Sequence, residues 1–237
     1  MGRVFEKRKY VMFARFAKMA KQFTKIGKDI AIAVKAGGPD PDTNPRLRIC
    51  IQNAKAVNMP KANVEAAIKR ASNKDTSNYE EVIYEGYAPH GVPVLVECTT
   101  DNPTRTVANI RMYFSKAGGT LGTNGSVSFM FSRKALFKVS SEGLNKEETE
   151  LEFIDYGGEE YTWDDEHKEL IIQTPFNDFG KMQKALEDKH LEIKESSKTF
   201  IPATYKQLND AEEAELLAMI ERMEEDDDVV AVYHNAK

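Results

Sequence analysis

Lysines that recur at helical spacing are the side chains of this sequence best placed to bind a ligand. The apolar residues of one segment recur three or four positions apart, at Phe16, Met19, Phe23, Ile26 and Ile30. The lysines follow two residues behind this apolar stripe, at Lys18, Lys21, Lys25, Lys28 and Lys35. Two residues correspond to about 200° around a helix that turns about 100° per residue. The pattern predicts a lysine stripe opposite the helix core, and such a stripe is suited to bind phosphates.

Two arginines lie where helix stability disfavours them. Asn44-Pro45 predicts a helix start, and Arg46 and Arg48 fall in its first turn. A cation there opposes the helix macrodipole and typically costs about 0.3 to 1 kcal/mol. Free N–H groups at a helix start attract phosphate, and arginine adds forked donors. We therefore expect a phosphate site here, and Pro60-Lys61 repeats the pattern on a smaller scale.

Charge is distributed unevenly along the chain. Residues 1–77 hold 17 Lys/Arg against 6 Asp/Glu, a net charge of +11. Because the whole chain has a net charge of −5, the remaining 160 residues have a net charge of −16. Such asymmetry indicates a part that binds polyanions and a part that stays solvated. The competing interpretation is an acidic protein partner for the basic part. The nucleic-acid-binding candidates are Arg3, Lys7, Arg8, Lys9, Arg15, Lys18, Lys21, Lys25, Lys28, Lys35, Arg46, Arg48, Lys55, Lys61, Lys69 and Arg70.

The other polar motifs indicate structure rather than catalysis. The glycine-rich residues 118–125 follow a predicted helix and precede a predicted strand, the reverse of a dinucleotide-binding context, so they indicate a loop. Residues 164–167 combine acids with a histidine, but they lie where two strands must turn. Cys50 and Cys98 are far apart and indicate neither a disulfide framework nor a metal knuckle. We expect no catalytic residue, no metal and no cofactor.

An enzyme remains a remote alternative. Its active site would lie in a cleft between the α/β domains, with Glu85, Glu97, Asp101 and Arg105 as the polar set. Asp101 and Asn102 are explained more simply as helix caps.

The elements that must position the basic residues form a predicted three-helix bundle over residues 1–77. The first helix should end at Gly37-Gly38-Pro39, the second begin at Asn44-Pro45 and the third near Pro60. After a polar linker the apolar period changes from 3.6 to about 2, which indicates strands.

The rest of the sequence predicts two α/β domains. Residues 134–202 give the order βαββαβ, the ferredoxin-like motif, and form an insertion. The flanking residues 78–133 and 203–237 then make one discontinuous α/β domain, in which residues 126–132 read as a strand. The expected fold class is α+β, with a three-helix domain followed by two ferredoxin-like α/β domains, one inserted in the other.

The sequence gives no membrane signal. No apolar run approaches the roughly 20 residues that span a bilayer, and the basic start lacks a signal-peptide pattern. We expect a cytoplasmic monomer without a membrane partner.

Several phrases together resemble the YebC/PmpR family. They are Phe23-Thr24-Lys25, Gly37-Gly38-Pro39-Asp40-Pro41, Asn44-Pro45-Arg46-Leu47-Arg48, Asn58-Met59-Pro60-Lys61, Ala67-Ile68-Lys69-Arg70, Tyr84-Glu85-Gly86-Tyr87, Thr100-Asp101-Asn102, Arg105-Thr106-Val107, Phe114-Ser115-Lys116, Gly118-Gly119, Gly125-Ser126-Val127, Asp226-Asp227-Asp228-Val229 and Val232-Tyr233-His234-Asn235. These phrases run in order along the whole chain. One departure is Gly2-Arg3-Val4-Phe5-Glu6, where many relatives begin Gly-His-Ser-Lys-Trp.

The resemblance implies a helical N-terminal domain with two α/β domains, and one of two functions. One is a transcriptional regulator that binds duplex DNA. The other is a translation factor on ribosomal RNA, like the mitochondrial translational activator of cytochrome c oxidase. With the basic residues, it predicts a non-enzymatic, DNA-binding regulator of gene expression, with the ribosome as the alternative target. The acidic α/β domains would set orientation or recruit a protein partner.

Overall fold

The computed structural model describes residues 3–73 and 78–237, with side chains from Met19 onward. The helical domain consists of α1 (Arg3–Gly37), α2 (Pro45–Ala56) and α3 (Lys61–Ala71). Gly38 follows α1 with a φ of 88°, a conformation that costs glycine little. Asn44 caps α2, because its side-chain oxygen accepts from the Leu47 N–H at 3.1 Å. The predicted helix ends are therefore confirmed.

Buried residues of all three helices form the core of the helical domain. Ile30 and Val34 pack there against Leu47 of α2 and Val64 and Ala67 of α3. Small residues let the three helices approach closely, because most of the buried positions besides these are alanines.

Residues 3–73 and 78–237 contain seven α-helices and eight β-strands. After α3 come β1 (Glu80–Ala88), β2 (Val92–Thr100), α4 (Pro103–Lys116), β3 (Thr120–Leu121), β4 (Phe131–Ser140), α5 (Lys146–Ile154), β5 (Glu160–Asp164), β6 (Glu169–Pro175), α6 (Phe179–Asp188), β7 (Ile193–Pro202), α7 (Asp210–Glu224) and β8 (Val229–His234).

The first α/β domain is built on a four-stranded sheet in the order β3-β1-β2-β8, with antiparallel pairing throughout. Helices α4 and α7 cover one face, where Val94 and Val96 of β2 pack with Phe114, Leu216 and Met219. All nine residues of β2 are buried, so the opposite face of this strand is covered as well. The helical domain and the second α/β domain contribute to that cover.

The inserted α/β domain has the sheet order β5-β6-β4-β7. Because its elements follow one another as βαββαβ, this order and its antiparallel pairing are those of a ferredoxin-like sheet. Phe137, Leu170 and Ile172 of the sheet pack against Phe153 of α5 and Met182 of α6. The predicted α+β fold class, with one α/β domain inserted in the other, is confirmed.

One predicted strand is wrong. Residues 126–132 do not form a strand of the first sheet; Ser128–Met130 is a 3₁₀ turn, and β4 begins at Phe131. The fourth strand of that sheet is instead β3, two residues within the glycine-rich segment. Alternating polarity indicated a strand, but the carboxylate of Glu85 engages the backbone N–H groups of Val127 and Ser128, each at 2.8 Å.

Candidate nucleic-acid interface

Lys28 is buried against the first α/β domain and not exposed to solvent. Its ammonium group lies 2.9 Å from the Asp228 carboxylate and donates to the backbone carbonyls of Thr99 at 3.0 Å and Asp227 at 2.7 Å. With only 9% of the residue exposed, this cation cannot reach a phosphate while the two domains stay docked. Lys28, a member of the lysine stripe expected to bind phosphates, is therefore held in an interdomain contact, because the first α/β domain packs on this side of α1.

Asp228 is the centre of the docking contact. Besides Lys28, it accepts from Arg105 at 2.7 Å, Thr106 at 2.9 Å and Thr100 at 3.2 Å. Burial alone would raise the pKa of Asp228, but the hydrogen bonds from Arg105, Lys28 and Thr106 lower it to about 2. The carboxylate is thus held ionised between two cations and two hydroxyl groups.

Lys25 and Lys35 of the same stripe also contact groups of the protein. Lys25 donates to the Val230 carbonyl of β8 at 2.8 Å. Burial lowers the pKa of Lys25, an effect that the nearby Glu224 opposes. The ammonium of Lys35 contacts the side-chain oxygen of Asn78 at 2.6 Å. Lys25 and Lys28 of the stripe therefore contact the first α/β domain, whereas Lys35 stays exposed.

The arginines at the start of α2 also have partners within the protein. Arg46 lies 2.7 Å from the carboxylate of Glu81 in β1. Arg48 donates to the carbonyls of Pro41 and Asp42, both at 3.0 Å. These contacts give a structural reason for cations in a first helical turn, because the fold brings a hydrogen-bond acceptor to each arginine. The phosphate site expected at Arg46 and Arg48 stays a prediction.

Asp29 is the acidic neighbour in this docking region. Burial raises the pKa of Asp29 to about 6, although the Lys198 charge opposes the rise. Lys198 itself lies 3.1 Å from Glu81 and forms a shorter ion pair with Glu97. Helix α2 is tied to the inserted domain close by, where the Asn53 amide donates to the Ser196 carbonyl at 2.8 Å and accepts its N–H at 3.1 Å.

Among residues 19–73, the exposed basic residues other than Lys35 and Arg46 lie on α3 and at the end of α2. Lys61, Lys69 and Arg70 are exposed on α3, together with Lys55 at the end of α2, and Lys21 is half-buried. Lys61 has Glu65 at 3.7 Å, but both side chains are largely in solvent and such a pair contributes little. The candidates whose side chains lie outside the described residues are Arg3, Lys7, Arg8, Lys9, Arg15 and Lys18.

The glycine-rich segment already holds an anion of its own. The buried carboxylate of Glu85 accepts the N–H groups of Gly125, Val127 and Ser128, each at 2.8 Å. Burial alone would raise the pKa of Glu85, but these N–H groups stabilise the ionised form and its pKa lies below the usual value. The Glu85 carboxylate thus occupies the N–H groups that could otherwise bind a phosphate. The glycine-rich motif alone does not reveal this contact, because the acid comes from β1.

The polar set considered for an enzyme does not converge on one cleft. Glu97 contacts Lys198 and the Tyr233 hydroxyl at 3.3 Å, whereas Arg105 bridges Asp101 at 3.0 Å and Asp228. Residues 164–167 form the turn between β5 and β6, with the His167 ring 2.8 Å from Asp164. Within residues 3–73 and 78–237, no cluster of three or more His, Cys, Asp or Glu is arranged to hold a metal ion. None of the helices described there is long and apolar enough to cross a bilayer.

Comparison with known proteins places the whole chain among relatives. Residues 3–74 match the family model of the TACO1/YebC protein N-terminal domain, and residues 79–236 match that of the TACO1/YebC second and third domain. A "probable transcriptional regulatory protein" of Flavobacterium johnsoniae is 55% identical over 237 residues, covering 100% of this chain and 99% of the relative. A relative of the same description in Myxococcus xanthus is 51% identical, with 99% of both chains covered.

A solved structure is similar over most of the chain. It is the crystal structure of a conserved hypothetical protein from Aquifex aeolicus, with a TM-score of 0.77 and 36% sequence identity. The match covers 93% of this chain and 91% of that one.

Proposed function

The chain belongs to the TACO1/YebC family, and we propose that it is a non-enzymatic regulator of gene expression that binds duplex DNA through its helical domain. Relatives that match over their full length are named probable transcriptional regulatory proteins, which supports a regulatory role. DNA phosphates are the proposed ligand because the helical domain combines positive charge with exposed cationic side chains.

One observation carries the proposal: the exposed basic surface of α3 and its neighbours. This surface, called here the α3 surface, consists of Lys21, Lys55, Lys61, Lys69 and Arg70. Among the residues with described side chains, 19–73 of the helical domain hold ten Lys/Arg and four Asp/Glu, a net +6. The acidic α/β domains would repel a polyanion and so confine it to the helical domain.

The test is the salt dependence of binding to a 20-base-pair duplex. If each residue of the α3 surface neutralises one phosphate, log K should fall with log salt at a slope of about −4.5, and more steeply if residues 3–18 contribute. Lys55→Glu, Lys61→Glu and Lys69→Glu together should weaken binding and flatten the slope by about 2.7.

A matched control separates a binding surface from net charge. Arg111→Glu, Lys184→Glu and Arg222→Glu make the same change of charge at exposed positions of the α/β domains. The control variant should keep most of the affinity. Equal losses in the two triple variants, or an affinity independent of salt, would contradict the proposal. Binding to purified ribosomes but not to DNA would replace DNA by ribosomal RNA as the target.

A further inference from the structure

A groove of about 470 Å³ runs between α1 and α3 beside the α3 surface. Small residues are among those that line it, including Gly27, Ala31 and Ala67. Aromatic rings of Phe23 and Tyr79 contribute to its walls. The volume lies in the range of small-ligand pockets, which is about 300 to 1,000 Å³.

We propose that this groove binds an unpaired base of single-stranded DNA, with the adjoining phosphates on the α3 surface. The inference rests on the proposed function for the phosphate contacts of the α3 surface and goes beyond it, because a base-paired duplex presents no unpaired base to the groove. A flat base suits a shallow apolar floor bounded by aromatic rings, since stacking on such rings binds any of the bases.

The charge of the groove favours a nucleotide over an apolar peptide. None of the lining residues, all of them within the described chain, is acidic, and Arg70 is among them, whereas the charge of Lys28 is already paired with Asp228. Lys69 is exposed directly before Arg70 on α3. A strand whose base enters the groove would therefore meet cations where its phosphates emerge.

The docking contact supports one wall of the groove. The Lys28 ammonium lies 5.6 Å from the centre of the Tyr79 ring, and the same ammonium is fixed by Asp228. Because the ammonium is fixed, its cation–π attraction favours one position of the Tyr79 ring. Asn63 adds an exposed amide at the rim, with both donor and acceptor groups for a base edge.

Gly27 allows the groove to be filled without disturbing the fold. A Cβ at this position would meet no atom within 4 Å, and leucine has a higher helix propensity than glycine. Gly27→Leu should thus keep the helix and occupy the groove. Gly180 in α6 is the matched control, because it is also helical and also has no atom within 4 Å of such a Cβ.

The experiment measures binding of the full chain to four labelled probes by fluorescence anisotropy. The probes are a 12-nucleotide oligo(dT), an abasic 12-nucleotide strand, a 12-nucleotide oligo(U) and a 12-base-pair duplex. We expect the unmodified protein to bind oligo(dT) more tightly than the abasic strand. Gly27→Leu should weaken oligo(dT) binding about fivefold to a hundredfold, to the level of the abasic strand, because one stacked base is lost.

The controls make each failure distinct. Gly180→Leu should bind all four probes as the unmodified protein does, and Gly27→Leu should keep its affinity for the duplex. If oligo(dT) and the abasic strand bind equally well, or if Gly27→Leu leaves oligo(dT) binding unchanged, the groove does not bind a base even though the proposed function stands. Tighter binding of oligo(U) than of oligo(dT) would overturn the assignment to DNA. Absence of salt-dependent binding to every probe would refute the proposed function and this inference together.

Discussion

Two sides of the helical domain carry similar lysines in different surroundings. On α1, Lys25 and Lys28 face the first α/β domain, where carbonyl groups and Asp228 receive their ammonium groups. On α3, Lys61 and Lys69 are exposed to solvent. Both helices have a lysine pattern typical of a solvated face. The difference shows that a basic helix face becomes structural or available for a ligand according to the domain that packs on it.

The comparison also changes which residues are expected to bind DNA. The α1 lysines have the regular spacing that a phosphate-binding stripe would need, yet Lys28 is buried. The α3 surface is less regular but accessible. Accessibility, rather than spacing, therefore decides which cations can exchange counterions for phosphates.

The same substitution on the two sides should have unequal effects on stability. Lys28→Met removes the cation from a buried ion pair and from two buried carbonyls, so we expect the free energy of unfolding to fall by about 3 kcal/mol. Asp228 keeps Arg105, which limits the loss. Lys69→Met should change the free energy by no more than about 0.5 kcal/mol. Urea denaturation of both variants checks the comparison, and equal losses would remove the distinction between the two sides.

The docked side should also respond to pH through Asp29. Its pKa rises from 3.8 to about 6 on burial, so the folded protein binds this proton more tightly than the unfolded chain. Asp29 therefore favours folding most below about pH 4, and this contribution is lost as the pH rises to about 6. Partial exposure reduces the effect to about 2 kcal/mol.

Asp29→Asn isolates this effect. The stability of the variant relative to the unmodified protein should increase between pH 4 and pH 6.5, as measured by urea denaturation at several pH values. A constant difference across this range would mean that Asp29 ionises in the folded protein as it does in water.

A smaller effect is expected where α2 meets the inserted domain. Asn53→Ala leaves the buried Ser196 N–H and carbonyl without their partner, which should cost about 1 kcal/mol. Hydrogen exchange of the Ser196 amide should become about fivefold faster. Lys55→Ala, an exposed change on the same helix, is the control. Unchanged exchange would show that this contact does not hold the two domains together.

Much of the fold follows from signals that are local in the sequence. Asn44 and Pro45 start a helix because a side-chain cap and a preset φ act within a few residues, and the structure contains both. The βαββαβ order of the inserted domain follows from consecutive changes of apolar period. The strand expected over residues 126–132 was wrong because Glu85, about forty residues earlier, takes up the N–H groups of that segment.

The candidate site was less predictable for the same reason. Helical periodicity placed Lys28 opposite the core of its own bundle, which is correct for an isolated helix. The partner that buries Lys28 follows 200 residues later, and no local pattern connects the two positions. The pairing of Arg46 with Glu81 could likewise not be predicted, because it depends on how the domains dock.

The distance along the chain between Lys28 and Asp228 has a consequence during protein synthesis. At roughly 5 to 20 residues per second, the ribosome needs roughly 10 to 40 seconds to add the 200 residues that separate them. Until then β8 is missing, and the fully buried strand β2 remains an open sheet edge. The inserted domain, whose four strands are consecutive in the chain, can fold in that interval. The inserted domain can thus be complete before the domain that encloses it, and Lys28 acquires its partner Asp228 last.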